Sequence, residues 1–206
     1  MKRLLGLLLG MVGLGGPLRK LGAKIGRNTE GEVVSVDLMD SKVTDEGLVH
    51  LKGLPKLTYL YLARTQITDP GLVHLKGLTS LRELFLWNTK ITDAGLVHVE
   101  GLTKLQALGL DGTQVTDMGI KQIKGLTGLQ FLGLCDTPIT TAGLVHLKGL
   151  SSLEDLQLGN TQVTNAGLVH LKEMTKLQTI RLDGTKVTAA GIAELQKALP
   201  NCEIEK

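Results

Sequence analysis

Five histidines recur at one position of a repeating unit, His50, His74, His98, His146 and His170, with Gln122 standing in the series between them. Imidazole titrates near neutral pH and is a common metal ligand, so a regular row invites a zinc site or a proton switch. A zinc site needs several donors converging on one point. No carboxylate or thiol recurs beside these histidines at ligand spacing, and His50, His74, His146 and His170 all sit in the same Leu-Val-His-Leu text. The row reads as helix text copied from unit to unit, and neither a metal nor a cofactor is expected. The two cysteines, Cys135 and Cys202, lie more than two units apart, too far for a disulfide. No nucleophile, base and orienting group occur as a set. The glycines fall at repeat positions rather than in a Gly-rich strand-to-helix turn, so no phosphate loop is present. The chain is expected to be no enzyme.

These side chains ride on a strict 24-residue period. Leu57, Leu81, Leu105, Leu129, Leu153 and Leu177 each open a unit, and a degenerate first unit opens at Val33. A period this short, free of insertions, predicts a solenoid of stacked coils, each touching only its neighbours. The first half of a unit alternates: Leu84 and Leu86 are apolar, with Glu83, Phe85 and Trp87 between them. Period two predicts a short strand with one buried face. The second half carries Ile91, Leu96, Val99 and Leu102, a spacing that suits a turn and a short helix.

The boundaries have mechanisms. Thr92 and its equivalents at 44, 68, 116, 140, 164 and 188 can cap each helix, and Asp93 adds negative charge at the positive helix end. Gly95 recurs in every copy. A helix-interior glycine costs about 1 kcal/mol against alanine, so its repetition predicts close approach of the neighbouring coil. Gly101 and its equivalents suit helix C-caps. Thr65, Thr89, Thr113, Thr137, Thr161 and Thr185 follow each strand and are expected to bond backbone groups of the adjacent turn.

The pattern Leu-x-x-Leu-x-Leu-x-x-Thr-x-(Ile/Val)-Thr-Asp-x-Gly-Leu-x-x-Leu resembles a leucine-rich repeat. It is most similar to the cysteine-containing type and to bacterial arrays with the same Thr-Asp-x-Gly-Leu signature. Thr or Ser replaces the asparagine or cysteine that usually follows the strand, which suggests the bacterial type. The resemblance implies an α/β solenoid shaped as a horseshoe, with parallel strands on the concave face and short helices on the convex face. It also implies a protein-interaction module. Residues 17–32 are expected to form an N-terminal cap, 33–200 seven repeats, and 201–206 the end of a C-terminal cap.

A site in such an array can be written only where the copies differ. All five aromatics of the chain, Tyr59, Tyr61, Phe85, Trp87 and Phe131, fall on outward strand positions. Tyr59, Tyr61, Phe85 and Trp87 lie on adjacent strands about 4.8 Å apart and are expected to form one cluster. Ala107, Gly109, Gly112, Gly133 and Gly159 leave a shallow floor in which Phe131 stands. Arg82, Asp111 and Arg181 flank the patch or lie further along it. Aromatics are enriched at binding hot spots, so these eight residues are the expected partner-binding set for a protein or peptide. A glycan stacked on the rings and a purely structural spacer array are the alternatives, and cross-strand packing is the bland reading of the rings.

Charge points to few partners. From Pro17 to Lys206 there are 21 basic and 20 acidic residues, too balanced to argue for nucleic acid or an anionic membrane as the main partner. The lysines at 52, 76, 124, 148 and 172 form a stripe read as a solvated face, with weak anion binding as a minor option. Met1-Lys2-Arg3 followed by apolar Leu4 to Gly16 has the shape of a secretory signal. Residues 1–16 are therefore expected to direct export, to the periplasm or beyond, in preference to a cytoplasmic location. An uncleaved segment would associate the chain with a membrane.

Overall fold

The computed structural model describes residues 15–206, so the expected signal segment lies, but for its last two residues, outside the described residues. Nine strands form one sheet in chain order: β1 (Lys24–Arg27), β2 (Val33–Asp37), β3 (Tyr59–Tyr61), β4 (Glu83–Phe85), β5 (Ala107–Gly109), β6 (Phe131–Gly133), β7 (Asp155–Gln157), β8 (Thr179–Arg181) and β9 (Glu203–Glu205). β1 and β2 pair antiparallel. Every later pairing is parallel, and each residue faces its equivalent 24 positions on: Leu60 against Leu84, Leu84 against Leu108, Leu108 against Leu132. The invariant period has become an invariant register, because a one-residue slip would turn every leucine outward.

Each strand returns through a helical segment on the opposite side. Asp93–Leu96 and Asp117–Ile123 are α-helical, whereas Asp45–Leu51, Asp69–Leu75, Thr141–Gly149 and Asn165–His170 are 3-10 turns. The tighter winding suits a coil that must return within 24 residues. Gly16–Lys20 precedes the first strand, with Leu18 fully buried, and the longer α-helix Ala189–Ala198 precedes β9. Between sheet and helices runs a narrow core, in which Leu57, Leu60, Leu62, Ile67, Leu72 and Leu75 of one coil are all at zero exposure.

The Thr-Asp-x-Gly signature resolves into a clamp between coils. Asp69 accepts the Thr92 N–H at 2.8 Å and the Thr92 hydroxyl at 2.6 Å. Asp93 does the same for Thr116, at 2.7 and 2.6 Å, and Asp45 and Asp117 repeat it for Thr68 and Thr140. The glycine makes room for this carboxylate: a Cβ at Gly95 would lie 2.5 Å from Asp69 Oδ1, and one at Gly119 2.5 Å from Asp93 Oδ1. Thr92, Thr116, Thr140 and Thr188 also cap their helices, while Thr44, Thr68 and Thr164 do not.

Two local expectations are corrected. The threonines after the strands bond within their own coil, Thr89 Oγ1 donating to the Leu86 carbonyl at 2.6 Å and Thr113 to that of Leu110 at 2.6 Å. A short tether reaches the carbonyl three residues back and stops there. Gly101 and its equivalents are not left-handed caps, since positive φ among the described glycines is confined to Gly22, Gly31, Gly112 and Gly184. The left-handed residue of each coil comes instead just after the strand, as Asp40, Arg64, Asn88, Gly112, Asp136, Asn160 and Gly184. Gly112 therefore belongs to this turn row.

Candidate binding surface on the sheet

Phe85 is the hub of the outward sheet face. The Tyr61 ring stacks on it at 5.4 Å and 14°, Trp87 tilts against it at 5.1 Å, and Phe131 meets it edge-on at 6.3 Å. Phe85 and Phe131 stand two strands apart and touch because β5 offers only Ala107 and Gly109 between them. A Cβ on Gly109 would lie 2.8 Å from Phe85 Cδ1 and would overlap the Trp87 indole outright. Glycine at 109 thus lets the indole lie down over β5, which takes its Nε1 out of solvent without a hydrogen-bond partner.

The grouping differs from the one expected. Tyr59 makes none of these ring contacts, and Phe131, expected to stand alone, joins the cluster. Strand spacing alone does not decide which rings meet: Phe131 reaches Phe85 over the small residues of β5, and Tyr59 faces Glu83 rather than a ring. The Tyr61 hydroxyl donates to Glu83 Oε2 at 2.8 Å. Burial, and then this bond to the neighbouring carboxylate, push the phenol up to about 12. Tyr61 is therefore a neutral, committed donor at physiological pH.

Arg82 lies exposed just before β4, with its guanidinium 3.4 Å from Gln106 Oε1. Asp111 sits further along, against Gly133, and accepts the Cys135 N–H at 2.9 Å. Burial raises its carboxyl above the ordinary value. Burial likewise holds the adjacent Cys135 thiol at about 11. Arg181 pairs with Asp183 at 2.5 Å, three strands beyond Asp111's neighbour β5. The structure thus gathers Tyr61, Phe85, Trp87 and Phe131 into one cluster, leaves Tyr59 on the adjacent row of β3 facing Glu83, and leaves Arg82, Asp111 and Arg181 apart from it.

From β5 onward the sheet face and its turns carry Asp111, Asp136, Asp155, Asp183, Glu203 and Glu205, against Arg181. The helical side is mixed in sign, with Lys52, Lys76, Lys124, Lys148 and Lys172 among Asp45, Glu46, Asp69, Asp93, Glu100, Asp117 and Glu173. It also carries the exposed large apolar side chains, Val49, Val73, Val97, Val145 and Val169 at 41–54% exposure and Met118 at 57%. All five aromatics, by contrast, are half-buried. Sequence reasoning passed over the valines because Leu-Val-His-Leu reads as scaffold. The signal was there: with Leu72 and Leu75 turned inward, Val73 between them must face out. Along the same segments Nδ1 of His74, His98 and His170 is buried without a hydrogen-bond partner, and burial lowers the His74 imidazole. No group of three or more potential metal ligands occurs among the described residues.

The Leucine rich repeat family model matches residues 55–115. Internalin C2 from Listeria monocytogenes is 32% identical, with a TM-score of 0.70 over 85% of this chain and 70% of its own. The chain belongs to the leucine-rich repeat family. Two further leucine-rich repeat structures are similar in fold. The Leptospira interrogans protein is 23% identical at a TM-score of 0.56, covering 77% of this chain and 45% of its own length. The ectodomain of the Arabidopsis thaliana receptor kinase GASSHO1/SCHENGEN3, solved in complex with Casparian strip integrity factor 2, is 15% identical at a TM-score of 0.59, covering 87% and 25%. No curated protein matches the chain significantly. Leucine-rich repeats are generally non-enzymatic modules for binding proteins or peptides, and no catalytic family matches.

Proposed function

We propose that this leucine-rich repeat array binds a protein or peptide on its sheet face, over the cluster of Tyr61, Phe85, Trp87 and Phe131. The observation that carries this reading is the joining of Phe85 to Phe131 across Ala107 and Gly109. Sheet packing between neighbouring strands would be served by adjacent pairs. A platform spanning four strands, β3 to β6, with a glycine floor beneath the indole, is the geometry of a surface that receives side chains from a partner. Arg82, Asp111 and Arg181 would contribute polar contacts along the same face, and Tyr59 a contact at its margin. Tyr61 and Phe85 turn their faces on one another and Phe131 meets Phe85 edge-on, an arrangement that favours a side-chain partner over a stacked glycan.

Trp87 is the sole tryptophan of the chain, so it reports directly on its own site. The test is capture of partners from native lysate by wild-type protein and by Tyr61→Ala/Trp87→Ala, with Trp87 fluorescence followed as the captured partner is titrated. Loss of capture by a variant that keeps its wild-type circular dichroism supports the reading. Undiminished capture refutes it. Unfolding of the double variant would return the rings to the role of sheet packing, and binding to a glycan array would shift the reading to the glycan alternative. We also propose export through the N-terminal segment; native protein whose first residue is still Met1 would defeat a cleaved signal.

A further inference from the structure

Building on the sheet face as the binding surface, we propose that its partner is basic: an extended peptide segment whose Lys and Arg side chains meet the carboxylates that follow the rings. Phe131, the last ring, stands directly against Asp155 in the register of β6 and β7. The ring platform therefore passes without a break into the acidic half of the sheet, which runs on to β9.

The carboxylates of the two halves are compensated differently. In the first half each has its own internal partner. Asp37 pairs with Lys24 at 3.6 Å, Asp40 pairs with Arg64 at 2.6 Å, and Glu83 accepts the Tyr61 hydroxyl at 2.8 Å. In the second half the donors are mostly neutral. Asp111 accepts the Cys135 N–H at 2.9 Å, Asp136 the Asn160 amide at 2.9 Å, and Asp155 the Gln157 amide. Glu203 and Glu205 stand exposed. Among the described residues only Asp183 of this set forms an ion pair, with Arg181. A neutral donor orients a carboxylate and leaves its charge in place. Six negative charges thus stand against one positive charge from β5 to β9. Lysine is the commonest charged residue of the chain, yet none lies in β3 to β9. In a chain of nearly balanced charge, that exclusion is a property of this one face, and it fits a partner of positive charge.

The same half has room for a chain. Gly133 and Gly159 form its floor, and neighbouring carboxylates lie down over them. A Cβ at Gly133 would overlap the Asp111 carboxylate, and one at Gly159 would lie 2.8 Å from Asp183 Oδ1. Gly109 lays the Trp87 indole over the sheet in the same way. The charges are spaced one or two to a coil, which suits cations spaced along a chain; a single metal ion would need them to converge on one point. A nucleic acid carries the wrong sign for this face. From Phe85 on β4 to Glu205 on β9 there are five strand steps, roughly 24 Å at the spacing of adjacent strands. An extended segment of about seven or eight residues spans that length.

The test is selection of a displayed library of random octapeptides on the immobilised full chain, followed by fluorescence anisotropy with the selected peptides synthesised and dye-labelled. The selected sequences are expected to be enriched in Lys and Arg, and their affinity to fall as salt is raised. Asp155→Asn/Glu203→Gln/Glu205→Gln should weaken a selected basic peptide about tenfold with the circular dichroism unchanged, at about two- to threefold per exposed charge pair. Glu203→Gln/Glu205→Gln, which touches exposed side chains only, should weaken it about fivefold. The proposal is overturned if the selection yields no peptide, if it yields neutral or acidic sequences, or if basic peptides bind both carboxylate variants as they bind the wild type. The ring platform is tested apart from it by Tyr61→Ala/Trp87→Ala. Neutral peptides that this variant no longer binds would leave the platform standing and remove the basic partner. Basic peptides weakened by the carboxylate variants and untouched by the ring variant would uphold the basic partner and remove the platform.

Discussion

Replacing Thr141 by aspartate should add a clamp that one seam of the solenoid lacks. Thr141 Oγ1 accepts the Thr164 N–H at 3.0 Å and lies 3.0 Å from the Thr164 hydroxyl. At the equivalent seam Asp93 holds Thr116 at 2.7 and 2.6 Å. The slot for a carboxylate survives at the weaker seam: Gly167 is still glycine, and no side-chain oxygen is among the atoms nearest its ideal Cβ. A neutral hydrogen bond contributes about 0.5–1.5 kcal/mol and one to a charged group about 1.5–3. Two bonds share one charge here, and the carboxylate loses some hydration, so a net gain of about 1 kcal/mol is expected. In a chain of this size that raises Tm by about 2–4 °C. The reverse change, Asp93→Thr, should cost about as much. Because an aspartate at the start of a helical turn also gains about 0.3–1 kcal/mol from the helix dipole, Thr141→Asn is the control: it supplies the bonds, as Asn165 does for Thr188 at 2.9 and 2.8 Å, without the charge. Reversible denaturation by urea, read by circular dichroism, gives all three differences. A neutral or destabilising Thr141→Asp together with a harmless Asp93→Thr would refute the clamp as the reason for the Thr-Asp-x-Gly signature.

Two shorter predictions concern the ring cluster. Gly109→Val should displace the Trp87 indole, red-shift its fluorescence and cost about 1–3 kcal/mol through overpacking, read by fluorescence during denaturation; an unshifted spectrum would mean that the indole does not depend on that floor. One tyrosine, Tyr61, should titrate near 12 in an ultraviolet pH titration, and Glu83→Gln should bring it down by removing the carboxylate. Its folded pKa lies above the ordinary 10, so the contribution of the neutral phenol to stability is complete below 10 and is lost as pH rises from 10 toward 12. A phenol that ionises at 10 in the folded protein contradicts the hydrogen bond to Glu83.

The fold class was readable because each leucine of Leu-x-x-Leu-x-Leu answers a local question, which way a residue faces on a strand, and 24-residue copies answer it identically. Contacts between coils were only half readable. Gly95 announced a close approach by its cost, but the atom that approaches belongs to Asp69, and only the stacking of coils brings it there. The ring cluster failed for the same reason. Tyr59 and Phe131 occupy equally outward positions, but Phe131 meets Phe85 because only Ala107 and Gly109 stand between them, whereas Tyr59 faces Glu83 in register. Val73 was legible in principle, since it lies between the inward Leu72 and Leu75, but its recurrence at five of seven equivalent positions reads as scaffold. An exposed recurrent residue builds nothing in the core, and its recurrence asks for a different explanation.

These findings separate three tasks on one coil. The Asp–Thr clamps join neighbouring turns, the rings occupy the sheet face, and the valine and lysine rows occupy the opposite side. Each coil touches only its neighbours, and a repeat distributes its text so that one residue position serves one face. Substitutions on opposite faces share no partner and should therefore act independently, to within about 0.3–0.5 kcal/mol. Trp87→Ala combined with Lys148→Glu is the sharpest case. Trp87 lies on the fourth strand's face, and Lys148 follows the sixth strand on the helical side. Their combined stability change, measured by urea denaturation, should equal the sum of the single changes. Non-additivity beyond that margin would mean that the coils transmit strain through the leucine layer. In that event occupancy of the sheet face would alter the helical face, and the two surfaces would have to be treated as one coupled system.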